Sequence, residues 1–155
     1  MSADTIDEIP ADADYSTFFH DNEFQVKYPE LKLPPPSFRA SGARILSFDS
    51  GRSIVLAFPV REDQANPIGT LQGGILCSFF DDAFGTLSFA SLRKPCVSID
   101  MTVNFIRPAR PGEYVKIRAE FKAKSRKLLQ IYAEAHNSKD KLLATATSNL
   151  MVYEP

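Results

Sequence analysis

Through most of its second half the chain alternates apolar and polar residues with a period of two. Val97, Ile99, Met101, Val103 and Phe105 alternate with Ser98, Asp100, Thr102 and Asn104, as a strand with one apolar face requires. The same period returns in Val115, Ile117, Ala119 and Phe121. Strands are therefore expected over residues 96–107, 114–123, 128–137 and 142–153, with breaks at PARPG (108–112), SRK (125–127) and SKDK (138–141). Upstream, residues 39–48 and 53–60 flank Asp49, Ser50 and Gly51, a hairpin signal. Between the two groups lies NPIGTLQGGILCSFFDDAFGTLSFA (66–90), introduced by the loop markers Asn66-Pro67 and Gly69. There Ile75, Leu76, Phe79, Phe80, Ala83, Phe84 and Leu87 cover most of a helix circumference, which predicts a buried helix rather than one with a single dry stripe. Two strands, one long helix and a four-strand meander pack well in one way, with the sheet curved around the helix, so the expected class is α+β. A sheet covers only some sides of such a helix, and the remainder predicts contact with a second copy in a two-fold dimer.

Length and composition narrow this picture. A chain of 155 residues is one domain by size. Residues 1–37 hold eight acids against two lysines, net −6, and end in LPPPS, which predicts an acidic appendage with a stiff linker and a helix near 16–24 capped by Ser16. Residues 38–155 form the domain proper and carry eleven acids against sixteen Lys and Arg, net +5. That imbalance suits a polyanionic small ligand better than nucleic acid, since no basic stripe interleaved with aromatics is present. No apolar run approaches a membrane span without interruption, because Asp81 and Asp82 break the only long one. The first fourteen residues lack the basic start and apolar core of a signal peptide, and the expected compartment is the cytoplasm. Cys77 and Cys96 are expected as thiols within the core.

The helix carries the candidate chemistry. Its first turn offers Gly73, Gly74, Ile75 and Leu76 and no carboxylate, so unpaired N–H groups and a positive partial charge stand where a carbonyl oxygen can approach. The other reading of the glycines is close contact with a strand or a partner helix. Asp81 and Asp82 interrupt the apolar run. A carboxylate in apolar surroundings has a raised pKa, which suits a general base. Neighbours on a helix diverge by about 100°, so one of the two faces a given pocket; Asp81 is the expected base and Asp82 a structural or surface carboxylate. Gly73 and Asp81 are eight residues apart, about 12 Å along a helix. One protomer cannot bring both to the same carbonyl, whereas antiparallel helices across a two-fold axis can.

The pattern Asn66, Gly69, Gly73-Gly74, Asp81, Ala83, followed by PCVSIDMTVNFIRPA (95–109), resembles the hot-dog fold thioesterases of the phenylacetic-acid-degradation (PaaI-like) type, over residues 39–153. The resemblance implies a long helix wrapped by about six antiparallel strands, and an acyl-CoA hydrolase with sites shared across a homodimer, assembled as a dimer of dimers without metal or other cofactor. It further implies that the Gly73 N–H polarises the thioester carbonyl, that Asn66 helps to place it, that Asp81 is general base or nucleophile, and that Ser98 positions the water. Asn66 also reads as a turn residue before Pro67, and Ser98 as a polar strand position. The family commonly has His before the glycine pair. Here it is Gln72, which hydrogen-bonds but does not titrate near neutral pH. For the phosphates of CoA, Arg107, Arg110 and Arg126, with Lys124 and Lys127, are candidate partners. Gly74 is expected beside the substrate, and Phe79, Phe80 or Phe84, together with residues of the partner, along an aryl or medium-chain acyl pocket.

Other readings remain open. A dehydratase or hydratase on the same fold normally pairs His with a carboxylate, but His20 and His136 lie away from the helix segment. A non-catalytic acyl-CoA-binding or sensing module is favoured by Gln72 and disfavoured by Asp81 with Asn66. Zinc or phosphoryl chemistry finds neither ligand spacing nor a phosphate loop.

Overall fold

A computed structural model describes residues 26–154. The helix expected near 16–24 lies outside the described residues. The first described element is α1, Pro36–Ser41, which replaces the start of the expected first strand. Pro36 occupies a first-turn position that needs no N–H, and Gly42, left-handed at φ 70, ends the helix after six residues. Strand β1 therefore begins at Arg44 and runs Arg44–Asp49, pairing with β2, Ser53–Pro59. Phe38 of α1 is buried in the main core, and Tyr28, Leu31 and Leu33 pack against it.

Helix α2, Gly73–Leu92, is followed by β3 (Cys96–Phe105), β4 (Tyr114–Lys124), β5 (Leu128–His136) and β6 (Leu142–Val152). All pairings are antiparallel, in the order β1-β2-β4-β5-β6-β3. Ile117, Ile131, Ala133 and Ala146 send their side chains to the concave face around α2, where they meet Phe79, Phe80, Ala83, Phe84 and Leu87. The Phe79 ring stacks on Phe58 of β2 at 4.4 Å. Burial of each such phenylalanine is worth roughly 1.5–3 kcal/mol. By length and composition α2 could cross a membrane, but the core explains its apolar character, since one face is wrapped by the sheet.

The sheet ends in β1 at one edge and β3 at the other, and neither pairs with a further strand among the described residues. At the β3 edge Val97, Ile99 and Phe105 are exposed, with a bulge between Ser98 and Asp100 that leaves Ile99 without a partner on β6. The bulge reverses the alternation. Cys96 and Ser98 face α2 before it, and Met101, Val103 and Phe105 face α2 after it. Strict alternation would have sent Ser98 to the outer face with Asp100.

Candidate active site

The loop before α2 is closed upon itself by Asn66. Its Oδ1 accepts the N–H groups of Ile68 and Thr70, both at 3.1 Å, and its Nδ2 donates to Thr70 Oγ1 at 2.9 Å. Asn66 is thus a turn residue within the protomer, and it also lines a cleft of about 310 Å³ with Thr70, Gly73, Leu76, Phe105 and Arg107. Leu71 N–H donates to Ala109 O at 2.9 Å, which ties the loop to the segment after β3 and forms the far wall. Arg107 is braced by Nη1 donating to Leu142 O at 2.8 Å.

At the helix start, each glycine answers a different neighbour. A Cβ on Gly73 would lie 3.2 Å from the Phe105 ring, and one on Gly74 would lie 2.9 Å from Gln72 Oε1. That same Oε1 accepts the Ile75 N–H at 2.9 Å, so Gln72 is the N-cap of α2. The cap satisfies Ile75, while the N–H groups of Gly73 and Gly74 donate to no acceptor among the described residues. Gly73, which lines the cleft, therefore presents a free donor at the positive end of a 20-residue helix.

Asp81 lies two turns further along the exposed side of α2. Ser98 Oγ donates to Asp81 Oδ1 at 2.6 Å, a charge-assisted bond that fixes the carboxylate and leaves Oδ2 for other chemistry. The β3 bulge makes this contact possible. Gly73 and Asp81 fall in one unbroken helix, so about 12 Å of axial rise separates the free N–H from the carboxylate within the protomer.

Asp82 has a different setting. It is half-buried beneath α1, where Ser37 Oγ donates to its Oδ1 at 3.3 Å. Burial pushes its carboxyl up to about 6, opposed by the hydroxyls of Ser37 and Ser41 and reinforced by the charge of Asp81. This contact is not legible from the chain, because the pattern of α1 reads as linker and strand.

Other expected site residues are dispersed. Phe79, Phe80 and Phe84 are fully buried in the protomer's own core. Around α2, Phe79 lies about 160° from Asp81, whereas Phe84, three residues on, lies about 60° from it. Arg110 binds through its backbone N–H to Glu113 Oε2 at 2.9 Å, with an exposed side chain outside the cleft lining. Arg126 stands in the β4–β5 turn, at the end of β4 remote from the cleft. Thr70, Leu76 and Phe105 join the cleft without having been expected there. Thr70 and Leu76 carry no spacing signal, and Phe105 reads only as a strand residue. Among the described residues no group of three or more His, Cys, Asp or Glu side chains could hold a metal ion.

One long helix inside a curved, six-stranded antiparallel sheet, with a glycine pair opening the helix and a carboxylate two turns on, defines the hot-dog fold of the thioesterase type. The Thioesterase superfamily model matches residues 68–144. Among curated proteins, acyl-coenzyme A thioesterase 13 of Homo sapiens is 32% identical over 68 residues, 43% of this chain and 48% of that protein. The chain thus matches about half the length of such relatives. Among solved structures, the TT0310 protein of Thermus thermophilus is 30% identical with a TM-score of 0.72, over 78% of this chain and 100% of that one. A mutant of the phenylacetic acid degradation protein PaaI from the same organism is 29% identical with a TM-score of 0.70, over 77% and 100%. The chain belongs to the thioesterase superfamily, in its PaaI-like branch.

Proposed function

We propose that the protein hydrolyses an acyl-CoA to free acid and CoA in a site shared between two protomers. The observation that carries this reading is the Ser98–Asp81 hydrogen bond of 2.6 Å on the side of α2 that the sheet leaves open. A carboxylate held by one oxygen, beside an unpaired edge strand, is set to act on a group delivered by another chain. In the proposed reaction the Gly73 N–H of one protomer, with the remaining Asn66 Nδ2 hydrogen, stabilises the oxyanion at the thioester carbonyl. Asp81 of the other protomer takes the proton of the attacking water, and the tetrahedral intermediate collapses with loss of the CoA thiolate. If Asp81 instead attacks the carbonyl, an acyl-aspartyl anhydride forms and water then cleaves it. Oxygen-18 found on Asp81 after a single turnover in labelled water identifies the second route, with water attacking the aspartyl carbonyl of the anhydride.

The dimer rests on the free β3 edge with its exposed apolar residues. It also rests on Gly85, where a Cβ would meet nothing within 4 Å in the protomer. A further pairing of dimers, a cytoplasmic setting, and aryl or medium-chain acyl groups complete the reading; acyl-coenzyme A thioesterase 13 is named for acyl-CoA thioesters and PaaI for phenylacetic acid degradation. A non-catalytic acyl-CoA-binding module is the rival reading. Its argument is Gln72 in place of His, yet Gln72 caps the helix and leaves the Gly73 donor free, so loss of a titrating side chain there does not dismantle the oxyanion site.

Thiol release from short, medium, long and aromatic acyl-CoAs, with wild type and Asp81→Asn, tests the activity. Turnover that collapses in the variant supports hydrolysis, and binding without turnover across the panel supports the module. Mixing Asp81→Asn protomers with Gly73→Val protomers should restore part of the activity through hybrid dimers; no recovery with subunit exchange verified would refute the shared site.

A further inference from the structure

The outer face of the sheet, away from α2, carries a notch of about 350 Å³ lined by Val55, Lys116, Arg118, His136 and Asp140. Lys116 and Arg118 alternate with Val115, Ile117 and Ala119, all fully buried toward α2, which fixes both cations on the outer face. His136 stands directly opposite Lys116 in the β4–β5 register. Residues two apart on one strand are separated by about 7 Å, and directly opposed residues by about 5 Å. Three groups able to carry positive charge therefore form a compact triangle.

Its internal counter-charge is incomplete. Asp140, left-handed at φ 56 in a turn closed by Asn137, bonds Lys116 at 2.6 Å and leaves that ammonium two further donors. Arg118 is opposed in register by Glu134. The Glu134 carboxylate instead accepts from Tyr132 Oη at 2.9 Å and lies 3.6 Å from His136 Nε2. The Arg118 guanidinium makes no hydrogen bond among the described residues and meets Glu120, two residues on along β4, only through a longer-range charge interaction. A planar fork of donors without its cross-strand partner, beside an ammonium and an imidazole, is the donor set that a tetrahedral oxyanion satisfies.

We infer that this notch is a binding site for a phosphate group, seated on Arg118, Lys116 and His136. The ligand is inorganic phosphate or the phosphomonoester end of a larger molecule, and both share this chemistry. The site is separate from the cleft at the start of α2 and does not depend on turnover there.

The chain has two histidines, His20 and His136, so proton NMR follows His136 with little overlap. The groups facing its ring are Lys116 and Arg118 from β4, Glu134 from its own strand and Asp140 from the following turn. Titration with inorganic phosphate at fixed pH should shift the His136 ring-proton resonances saturably. Arg118→Gln should weaken phosphate binding about tenfold or more, and Lys116→Gln similarly. His136 resonances unmoved by both inorganic phosphate and adenosine 3′,5′-bisphosphate, or equal binding by wild type and Arg118→Gln, would overturn the site. Tighter binding of the bisphosphate, with a raised KM of Arg118→Gln for acyl-CoA but not for the acyl-pantetheine, identifies the substrate's own phosphate. Equal affinity for both probes and an unchanged KM identifies free phosphate. Because these resonances are read without turnover, absence of thioesterase activity leaves this test standing.

Discussion

The β3 side and the α1 side of helix α2 each hold an aspartate, adjacent in sequence and opposite in setting. On the β3 side Asp81 is exposed and accepts the Ser98 hydroxyl at 2.6 Å beside an open sheet edge. On the α1 side Asp82 is half-buried, meets Ser37 at 3.3 Å, and has its carboxyl raised to about 6. A rotation of about 100° per residue is enough to separate them. The contrast shows that a shifted pKa and an available carboxylate are different properties. Asp82 has the shift but is covered by α1, whereas Asp81 has an oxygen free toward the side from which a second chain would come.

If that division of labour is right, Asp81→Asn should lower kcat by roughly two to four orders of magnitude, the usual contribution of a positioned general base, with acyl-CoA binding retained. The comparison breaks if Asp82→Asn is the variant that loses turnover. Ser98→Ala removes a hydrogen bond to a charged group and should lower kcat about tenfold with little change in KM. An effect confined to KM would mean that Ser98 touches substrate rather than Asp81.

The chain's own pattern places β2, β4, β5 and β6 within a residue or so of their observed limits, because alternation over seven or more residues averages out local ambiguity. It does not find the β3 bulge, since one unpaired residue between Ser98 and Asp100 leaves the letters alternating while the faces exchange. Nor does it orient α2. A helix apolar around most of its circumference does not say which side meets its own sheet; the burial of Phe79, Phe80 and Phe84 in the protomer's core is read from the structure. Asp82 illustrates the third limit, because its environment comes from a segment more than forty positions away. The glycine pair is readable as a demand for close approach, but the atoms that approach in the protomer are those of Phe105 and Gln72.

The α1 side makes a prediction in the pH dependence of stability. The Asp82 carboxyl rises from 3.8 to about 6 on folding, so above about pH 6 it is ionised in both states and the folded state bears the cost of the covered charge. As pH falls through the window between those values, the folded protein takes up the proton first and gains stability, with no further gain below the lower one. Two units correspond to about 3 kcal/mol, and partial exposure reduces the expected contribution to about 1–2 kcal/mol. Asp82→Asn, which keeps an acceptor for Ser37, should therefore be more stable than wild type by that amount at pH 7.5 in urea unfolding. The difference should shrink toward zero near pH 4. A variant less stable at neutral pH would show that Asp82 is held by α1 rather than strained under it.

The smallest expected effect lies on the β3 side, one turn beyond Asp81, and bears on whether that side is open to solvent or to a second chain. Gly85 sits inside α2, where glycine costs up to about 1 kcal/mol relative to alanine. A Cβ there would meet nothing within 4 Å in the protomer. If the protomer is the whole environment, Gly85→Ala should stabilise the protein by up to that amount without altering its sedimentation. If a partner helix crosses close to Gly85, the added methyl occupies the contact, and the gain in helix propensity is offset by a weaker dimer. Sedimentation velocity across a dilution series, run beside urea unfolding, separates the two. Dissociation at higher concentration than wild type would make the glycine a place of helix contact and join it to the side of α2 that presents Asp81. A stabilised variant with unchanged association would mean that the second chain meets the protein elsewhere, along the β3 edge alone.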